Sequence, residues 1–129
     1  MTNTYKVETV TTAQEIADLL VGAFKGGSNH WCHNLRVTKP VQTPRGEIWY
    51  ASGAFYEGDF EFTLDEHDDN GDYVITHTVT PEKLQAGLQI FANNYSTHYG
   101  DFIQQEEDAE TSDAFLQCII LGEIVYYDY

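Results

Sequence analysis

Acidic residues dominate this chain, and they are spread unevenly along it. The 129 residues include 21 Asp and Glu but only 6 Lys and Arg, which gives a net charge of −15. From Gly46 to the C-terminus there are 18 acids and one base, Lys83. A charge of this size destabilises a compact state through self-repulsion, and solubility needs only about 2 to 8 charges in a small domain. Two interpretations stay open: an acidic surface with no specific partner, or one that meets a basic partner.

The remaining composition is that of a folded protein. Hydrophobic residues make up 42% and aromatic residues 14% of the chain, which argues against intrinsic disorder. The length is typical of one domain, so residues 1–129 are expected to form a single unit. The sequence shows no apolar run of about 18 residues and no apolar signal region, so a cytoplasmic location is expected. Cys32 and Cys118 are then expected to be reduced, with Cys118 in the core.

The first half of the chain predicts one helix and several strands. Tyr5–Val10 alternates like a short strand, and Thr12 with Glu15 matches a capping box that starts a helix over Ala13–Lys25. Ile48–Tyr50 is typical of a strand. Phe60, Phe62 and Leu64 alternate with acids, which predicts a half-buried strand that returns as Tyr73–Val79 through a turn at Asn70-Gly71.

The second half predicts two more helices. Thr80 caps a helix that Pro81 opens and Gly100 ends. Thr111 or Ser112 caps another helix, which Gly122 ends. Ile124 to Tyr127 is either a last strand or a packed tail. The predicted fold class is therefore α+β, with an antiparallel meander of about three to five strands packed against two or three helices.

Two acidic clusters are the main candidates for a functional site. Glu57, Asp59 and Glu61 alternate, so on a strand their carboxylates would repeat every 6.6–6.8 Å or so, near the path between neighbouring phosphates of DNA. The acidic surface is extended around the turn by Asp65, Glu66, Asp68, Asp69 and Asp72. A second acidic cluster consists of Glu106, Glu107, Asp108, Glu110 and Asp113. An ordinary solvated strand face gives the same alternation. The predicted partner-binding residues are Glu57, Asp59, Glu61, Asp65, Asp68, Asp69, Asp72, Glu106, Glu107 and Asp108.

Metal sites are poorly supported by the spacing of possible ligands. Glu66, Asp68 and Asn70 match positions 1, 3 and 5 of a calcium-binding EF-hand loop. The twelfth position of such a loop needs a bidentate Glu, and here it is His77. His30, Cys32 and His33 are possible zinc ligands, but a structural site needs a fourth ligand. No metal and no cofactor are predicted.

Catalysis is also weakly indicated. Cys32 with His33 or His98 could form a nucleophile pair, yet nothing in the sequence brings these side chains together. No phosphate-binding loop, dinucleotide fingerprint or nucleophile elbow is present. A protein without enzymatic activity is therefore predicted, and a metal- or cysteine-dependent hydrolase is the least favoured alternative.

Aromatic residues suggest a second kind of surface. Trp31 and Cys32 are expected to anchor their loop on the core. Nine tyrosines exceed the needs of a core of this size, and three of them lie in Tyr126-Tyr127-Asp128-Tyr129. Tyrosine is enriched at interfaces, so this tail either binds a partner or packs on the domain.

Three sequence blocks resemble small uncharacterised proteins of bacteriophages and prophages. The first is Gly27-Ser28-Asn29-His30-Trp31, and the second is Asp108-Ala109-Glu110-Thr111-Ser112-Asp113-Ala114-Phe115-Leu116-Gln117. The third is Gly122-Glu123-Ile124-Val125-Tyr126, and the shorter run Tyr99-Gly100-Asp101-Phe102 resembles the same proteins. The resemblance implies a phage or mobile-element origin and supplies no activity. Some small acidic phage proteins inhibit host defence, such as DNA-mimic antirestriction and anti-CRISPR proteins. By analogy of class and charge, the resemblance suggests a function of this kind.

The resulting hypothesis is an inhibitor whose acidic surface occupies the nucleic-acid site of a basic host defence protein. Direct binding to nucleic acid is disfavoured because phosphates would be repelled, and no membrane association is expected. A phage structural or regulatory protein that binds through Trp31 and the Tyr-rich tail is the alternative. The sequence leaves the oligomeric state open.

Overall fold

The N-terminal helix begins at the residue that the sequence indicates. The computed structural model describes residues 10–68, 74–104 and 108–127, so most of the strand predicted over residues 5–10 lies outside the described part. Thr12 and Glu15 form the predicted capping box, with the Glu15 amide 3.1 Å from Thr12 Oγ1 and the Thr12 amide 3.1 Å from Glu15 Oε1. Helix α1 spans Ala13–Gly22 and continues into a π-helical turn over Ala23–Gly27.

The predicted meander is confirmed as a three-stranded antiparallel sheet in the described part of the chain. Its strands are β1 (Cys32–Lys39), β2 (Glu61–His67) and β3 (Val74–Val79), in the order β1-β2-β3. Phe62 and Leu64 of β2 are buried as predicted, but Thr63 and Asp65 are buried as well, so β2 is not the half-buried strand that the alternation predicts. The β2–β3 pairing agrees with the predicted hairpin, whose Asn70-Gly71 turn lies outside the described residues.

The strand predicted over Ile48–Tyr50 is wrong. Trp49–Ala51 is a short 3₁₀ turn, and helix α2 (Gly53–Glu57) follows it. The Trp49 ring centroid lies 4.7 Å from that of Phe55 and 5.3 Å from that of Phe62. The apolar character of this segment therefore serves aromatic packing under the sheet, and pattern alone does not separate such packing from strand pairing.

Helix α3 (Pro81–Asn94) starts as predicted, with the Lys83 amide bonded to Thr80 Oγ1, but Gly100 does not end it. The break falls at Tyr95, which has non-helical dihedral angles and accepts a hydrogen bond from the Ile124 amide on its hydroxyl. Helix α4 (Ser96–Ile103) then runs through Gly100.

Helix α5 (Ala109–Leu121) is the centre of the core. Asp108, and neither Thr111 nor Ser112, is its N-cap, while Gly122 ends it in the left-handed conformation as predicted. Every residue from 111 to 120 is buried, including Cys118. The α+β class is confirmed, with five α-helices in the described part instead of the predicted two or three. Among the described residues, no helix is both long and apolar enough to cross a lipid bilayer.

Two glycines test how α3 and α4 are packed. At Gly87 a Cβ would lie 2.8 Å from the Ile119 amide nitrogen of α5, whereas at Gly100 nothing lies within 4 Å. We expect Gly87→Ala to lower the free energy of unfolding by about 1–3 kcal/mol through overpacking. The same change at Gly100 should raise it by about 0.5–1 kcal/mol, since only backbone entropy is affected. Urea denaturation of both variants checks this, and equal shifts would contradict the packing described.

Candidate interaction surface

The ten predicted acids do not form one row. Asp69, Asp72, Glu106 and Glu107 lie outside the described residues. Glu57 is the last residue of α2, Asp59 lies in the following link, and Glu61 is the first residue of β2. The phosphate-like spacing predicted for these three is therefore wrong, because they do not share a strand.

Asp65 is a structural carboxylate and not a free surface charge. It is 9% exposed and accepts hydrogen bonds from Asn34 Nδ2 at 2.9 Å, Thr76 Oγ1 at 2.7 Å and Arg36 Nη2 at 3.0 Å. These bonds, led by the one from Asn34, lower the pKa of Asp65 to about 2. The predicted role of Asp65 in partner binding is not supported, because its charge is satisfied inside the protein.

Two other predicted acids have internal partners as well. Glu61 Oε1 accepts a hydrogen bond from Thr38 Oγ1 at 2.9 Å, and its Oε2 lies 4.0 Å from Lys39 Nζ. Asp108 caps α5 by accepting the Thr111 amide at 2.9 Å, and this bond lowers the pKa of its carboxyl. Asp68 is half-buried after the end of β2.

Four exposed acids lie on or next to a group of elements that pack together. Glu57 and Asp59 are exposed and make no hydrogen bond or ion pair with the described residues. Asp18 of α1 and Glu47, just before the 3₁₀ turn, are also exposed. Elements α1, α2 and the 3₁₀ turn pack on one another. We call Asp18, Glu47, Glu57 and Asp59 the acidic corner.

Gln14 joins the elements of the acidic corner. Its side-chain amide donates to the Ala51 carbonyl at 3.2 Å and accepts from the Gly53 amide at 3.0 Å. The same amide donates to Asp18 Oδ1 at 2.9 Å. This partner is neutral, so the negative charge of Asp18 is not cancelled. Arg45 is the cation of the adjacent loop, and it is exposed.

A buried polar network connects the segment around Ser28, helix α5 and the C-terminal segment. Asp113 is fully buried, which corrects its assignment to an acidic surface cluster. Its Oδ1 accepts from Ser28 Oγ at 2.6 Å and Trp31 Nε1 at 2.7 Å, and its Oδ2 accepts from Gln117 Nε2 at 2.9 Å. His30 Nε2 lies 3.6 Å from Oδ2, beyond hydrogen-bond distance. Sequence reasoning missed this site; the only signal was an Asp within an apolar helical run.

Gln117 extends the network to the C-terminal segment. Its Oε1 accepts from the amides of Val125 and Tyr126 at 2.8 and 2.9 Å. The Tyr126 ring stacks on Trp31 with centroids 5.8 Å apart, and its hydroxyl donates to Glu66 Oε2. Of the two alternatives left open for 124–127, the packed tail is therefore the one observed.

The aromatic loop is an anchor, as predicted. Trp31 is fully buried, so it is not available to a partner surface. The alternative of an aromatic interface at Trp31 loses its central residue, although Val125 and Tyr127 stay 48% and 67% exposed.

The groups proposed for metal binding or nucleophilic catalysis do not converge. Among the described residues, no set of three or more His, Cys, Asp or Glu side chains is arranged to bind a metal ion. Cys32 is buried while the neighbouring His33 is exposed, as adjacent residues of a strand point to opposite faces. Burial, together with the charge of Asp113, raises the pKa of Cys32 to about 12, which disfavours the thiolate.

A pocket of about 170 Å³ lies between the π-helical turn and β1. Ala23, Phe24, Leu35 and Leu64 give it an apolar lining, and polar side chains such as Asn29 complete it. Its volume is below the roughly 300 Å³ of typical small-molecule sites.

Comparison with known proteins identifies no relative. No protein-family model, no curated protein and no solved structure matches this chain.

The Asp65 contacts predict a specific acid sensitivity. Because the folded pKa of Asp65 lies below its ordinary value, its contribution to the free energy of unfolding is complete above about pH 4 and is lost as the pH falls towards 2. We expect the loss of stability between about pH 6 and pH 3 to be smaller in Asp65→Asn than in the wild type. Asp59→Asn is the matched control and should follow the wild type. Identical profiles for all three proteins in urea titrations would refute a structural role for Asp65.

The state of Cys32 can be tested by alkylation. We expect iodoacetamide at about pH 8 to modify Cys32 and Cys118 far more slowly in the folded protein than in concentrated urea, because both thiols are buried with a raised pKa. Peptide mass spectrometry over a time course measures this. Rapid labelling of Cys32 alone in the folded protein would instead favour an activated nucleophile.

Proposed function

We propose that this protein is a non-enzymatic inhibitor that binds the nucleic-acid site of a basic host defence protein, of the restriction or CRISPR type, through its acidic corner. The observation that carries the proposal is the set of four exposed carboxylates on packed elements, for which the described residues supply no ion pair. Interfaces that bind phosphates are rich in Lys and Arg, and such groups pair with carboxylates of matching placement.

The distribution of cations supports this choice of surface. Arg36 pairs with Asp65, and Lys39 lies close to Glu61, so two of the six cations are engaged on the sheet. Of the other cations in the described part of the chain, Lys25, Arg45 and Lys83 lie in helices and links, and none of them forms an ion pair with Glu57 or Asp59. A rigid support favours this use, because the corner rests on buried residues such as Phe55 and Leu19 and loses little entropy on binding.

The choice of a host defence protein as the target rests on the resemblance of this chain to phage proteins in the sequence blocks around Ser28, Asp113 and Tyr126. Those blocks form the buried network and not the acidic corner. The resemblance therefore bears on the scaffold, while the charge bears on the partner.

A charge-neutralised variant tests the proposal. Glu57→Gln/Asp59→Asn raises the net charge by two, as does the single change Glu123→Lys at another exposed position. Purified restriction nucleases and CRISPR effector complexes would be screened for loss of binding to a labelled DNA duplex when the protein is added. We expect inhibition by the wild type, weakened on the order of tenfold or more by the double variant, because close interfacial charge pairs couple by about 1.5 kcal/mol or more.

The control and the salt dependence decide the outcome. Glu123→Lys should inhibit like the wild type, and inhibition should fall steeply as salt is raised. Circular dichroism should show both variants folded. Inhibition that is unchanged in the double variant, or equally weakened in Glu123→Lys, would exclude the acidic corner as the interface.

A further inference from the structure

Strand β3 has a free edge within the described part of the chain. It pairs with β2 on one side, and no described strand pairs with it on the other. The six residues from Val74 to Val79 pair with β2 in unbroken register, from His67 opposite Val74 to Phe62 opposite Val79. Such an edge presents a row of backbone donors and acceptors to any extended chain that approaches it.

The two edges of the sheet differ in how they are protected. β1 carries Arg36 and Lys39 and has two register shifts against β2, features that discourage further strand pairing. β3 has the sequence Val-Ile-Thr-His-Thr-Val, with no Lys, no Pro and no bulge. Its composition is rich in β-branched residues, which favour extended structure. The undefended edge is thus β3.

Side chains of β3 are accessible on both sides of the strand. Val74 is 61% and Ile75 38% exposed, and Thr76 and Thr78 are exposed as well. Side chains of directly opposite residues on two paired strands contact each other. A partner strand is therefore expected to place β-branched or other apolar side chains next to Val74 and Ile75.

Charge decides between the possible occupants. Asp68 follows β2, and exposed Glu82 follows β3 on α3. A second copy of this chain would also carry a net charge of −15, and the repulsion between the two copies opposes pairing of their edges. A cationic segment would instead be attracted.

We infer that the free edge of β3 accepts an extended basic segment of the partner, which adds a fourth strand whose residues alternate between cationic and β-branched. This inference rests on the proposed function for the basic character of the partner. Backbone hydrogen bonds would supply much of the affinity, and the flanking carboxylates would select for Lys and Arg.

Amide NMR with defined peptides tests the inference. The probe is a synthetic peptide of about eight residues that alternates Lys with Val or Thr, and its control carries N-methyl groups on alternate residues at the same charge. We expect the probe to shift the amide resonances of β3 and to slow the hydrogen exchange of those β3 amides that point away from β2. The N-methylated peptide should bind at least about tenfold more weakly, which is about 1.4 kcal/mol. Equal binding of the two peptides, or binding of neither, would overturn the inference.

Two protein variants separate this edge from the acidic corner. Val74→Lys/Thr78→Lys adds two cations to β3, and Gln85→Lys/Ala86→Lys adds two to exposed positions of α3. Only the two substitutions in β3 should weaken binding of the probe peptide, on the order of tenfold. If Glu57→Gln/Asp59→Asn weakens the probe and the β3 variant does not, the edge is not the site while the proposed function stands. The decisive amides are those of β3 that point away from β2. If these amides already exchange slowly without peptide, either only at high protein concentration or also in the dilute monomer, this chain itself covers the edge and the inference is overturned.

Discussion

The hydrogen bonds to one fully buried carboxylate connect most of this structure. Asp113 lies on the central helix and accepts donors from Ser28, Trp31 and Gln117. A buried charge is costly unless its lone pairs are satisfied, and each buried donor left without a partner would cost about 1–3 kcal/mol. The link that follows the π-helical turn must therefore meet α5 in one arrangement. Through Gln117 the same network positions the C-terminal segment, so Tyr126 reaches both Trp31 and Glu66.

Acids on the sheet and acids near α2 differ in whether they have cationic partners. On the sheet, Arg36 and Lys39 lie beside Asp65 and Glu61, and these acids have roles in the fold. On the helical side, Glu57 and Asp59 lack such partners among the described residues. Part of the excess negative charge that makes the composition unusual is therefore left exposed, as at the four residues of the acidic corner. A partner with phosphate-binding cations would relieve the repulsion that this surface experiences alone.

Local signals in the sequence predicted the parts of the fold that depend on local contacts. The capping box of Thr12 and Glu15, the start at Pro81 and the left-handed end at Gly122 involve residues three or four apart, and all three were confirmed. The strand around Trp49 and the helix end at Gly100 were wrong. In both cases a distant residue decides the outcome: Phe62 packs on Trp49, and Ile124 bonds to Tyr95, where the helix breaks.

The sequence by itself determined the charge, the α+β class, the hairpin and the buried state of Trp31 and Cys118, because periodicity and residue type are sufficient for these. Only the tertiary structure decided which acids remain free. Asp65 and Asp59 look alike in the sequence, yet Asp65 meets Asn34, Thr76 and Arg36 across neighbouring strands, while Asp59 meets no such group in the described chain. The pairing of a charge depends on the register between strands, and a linear pattern of acids contains no information about that register.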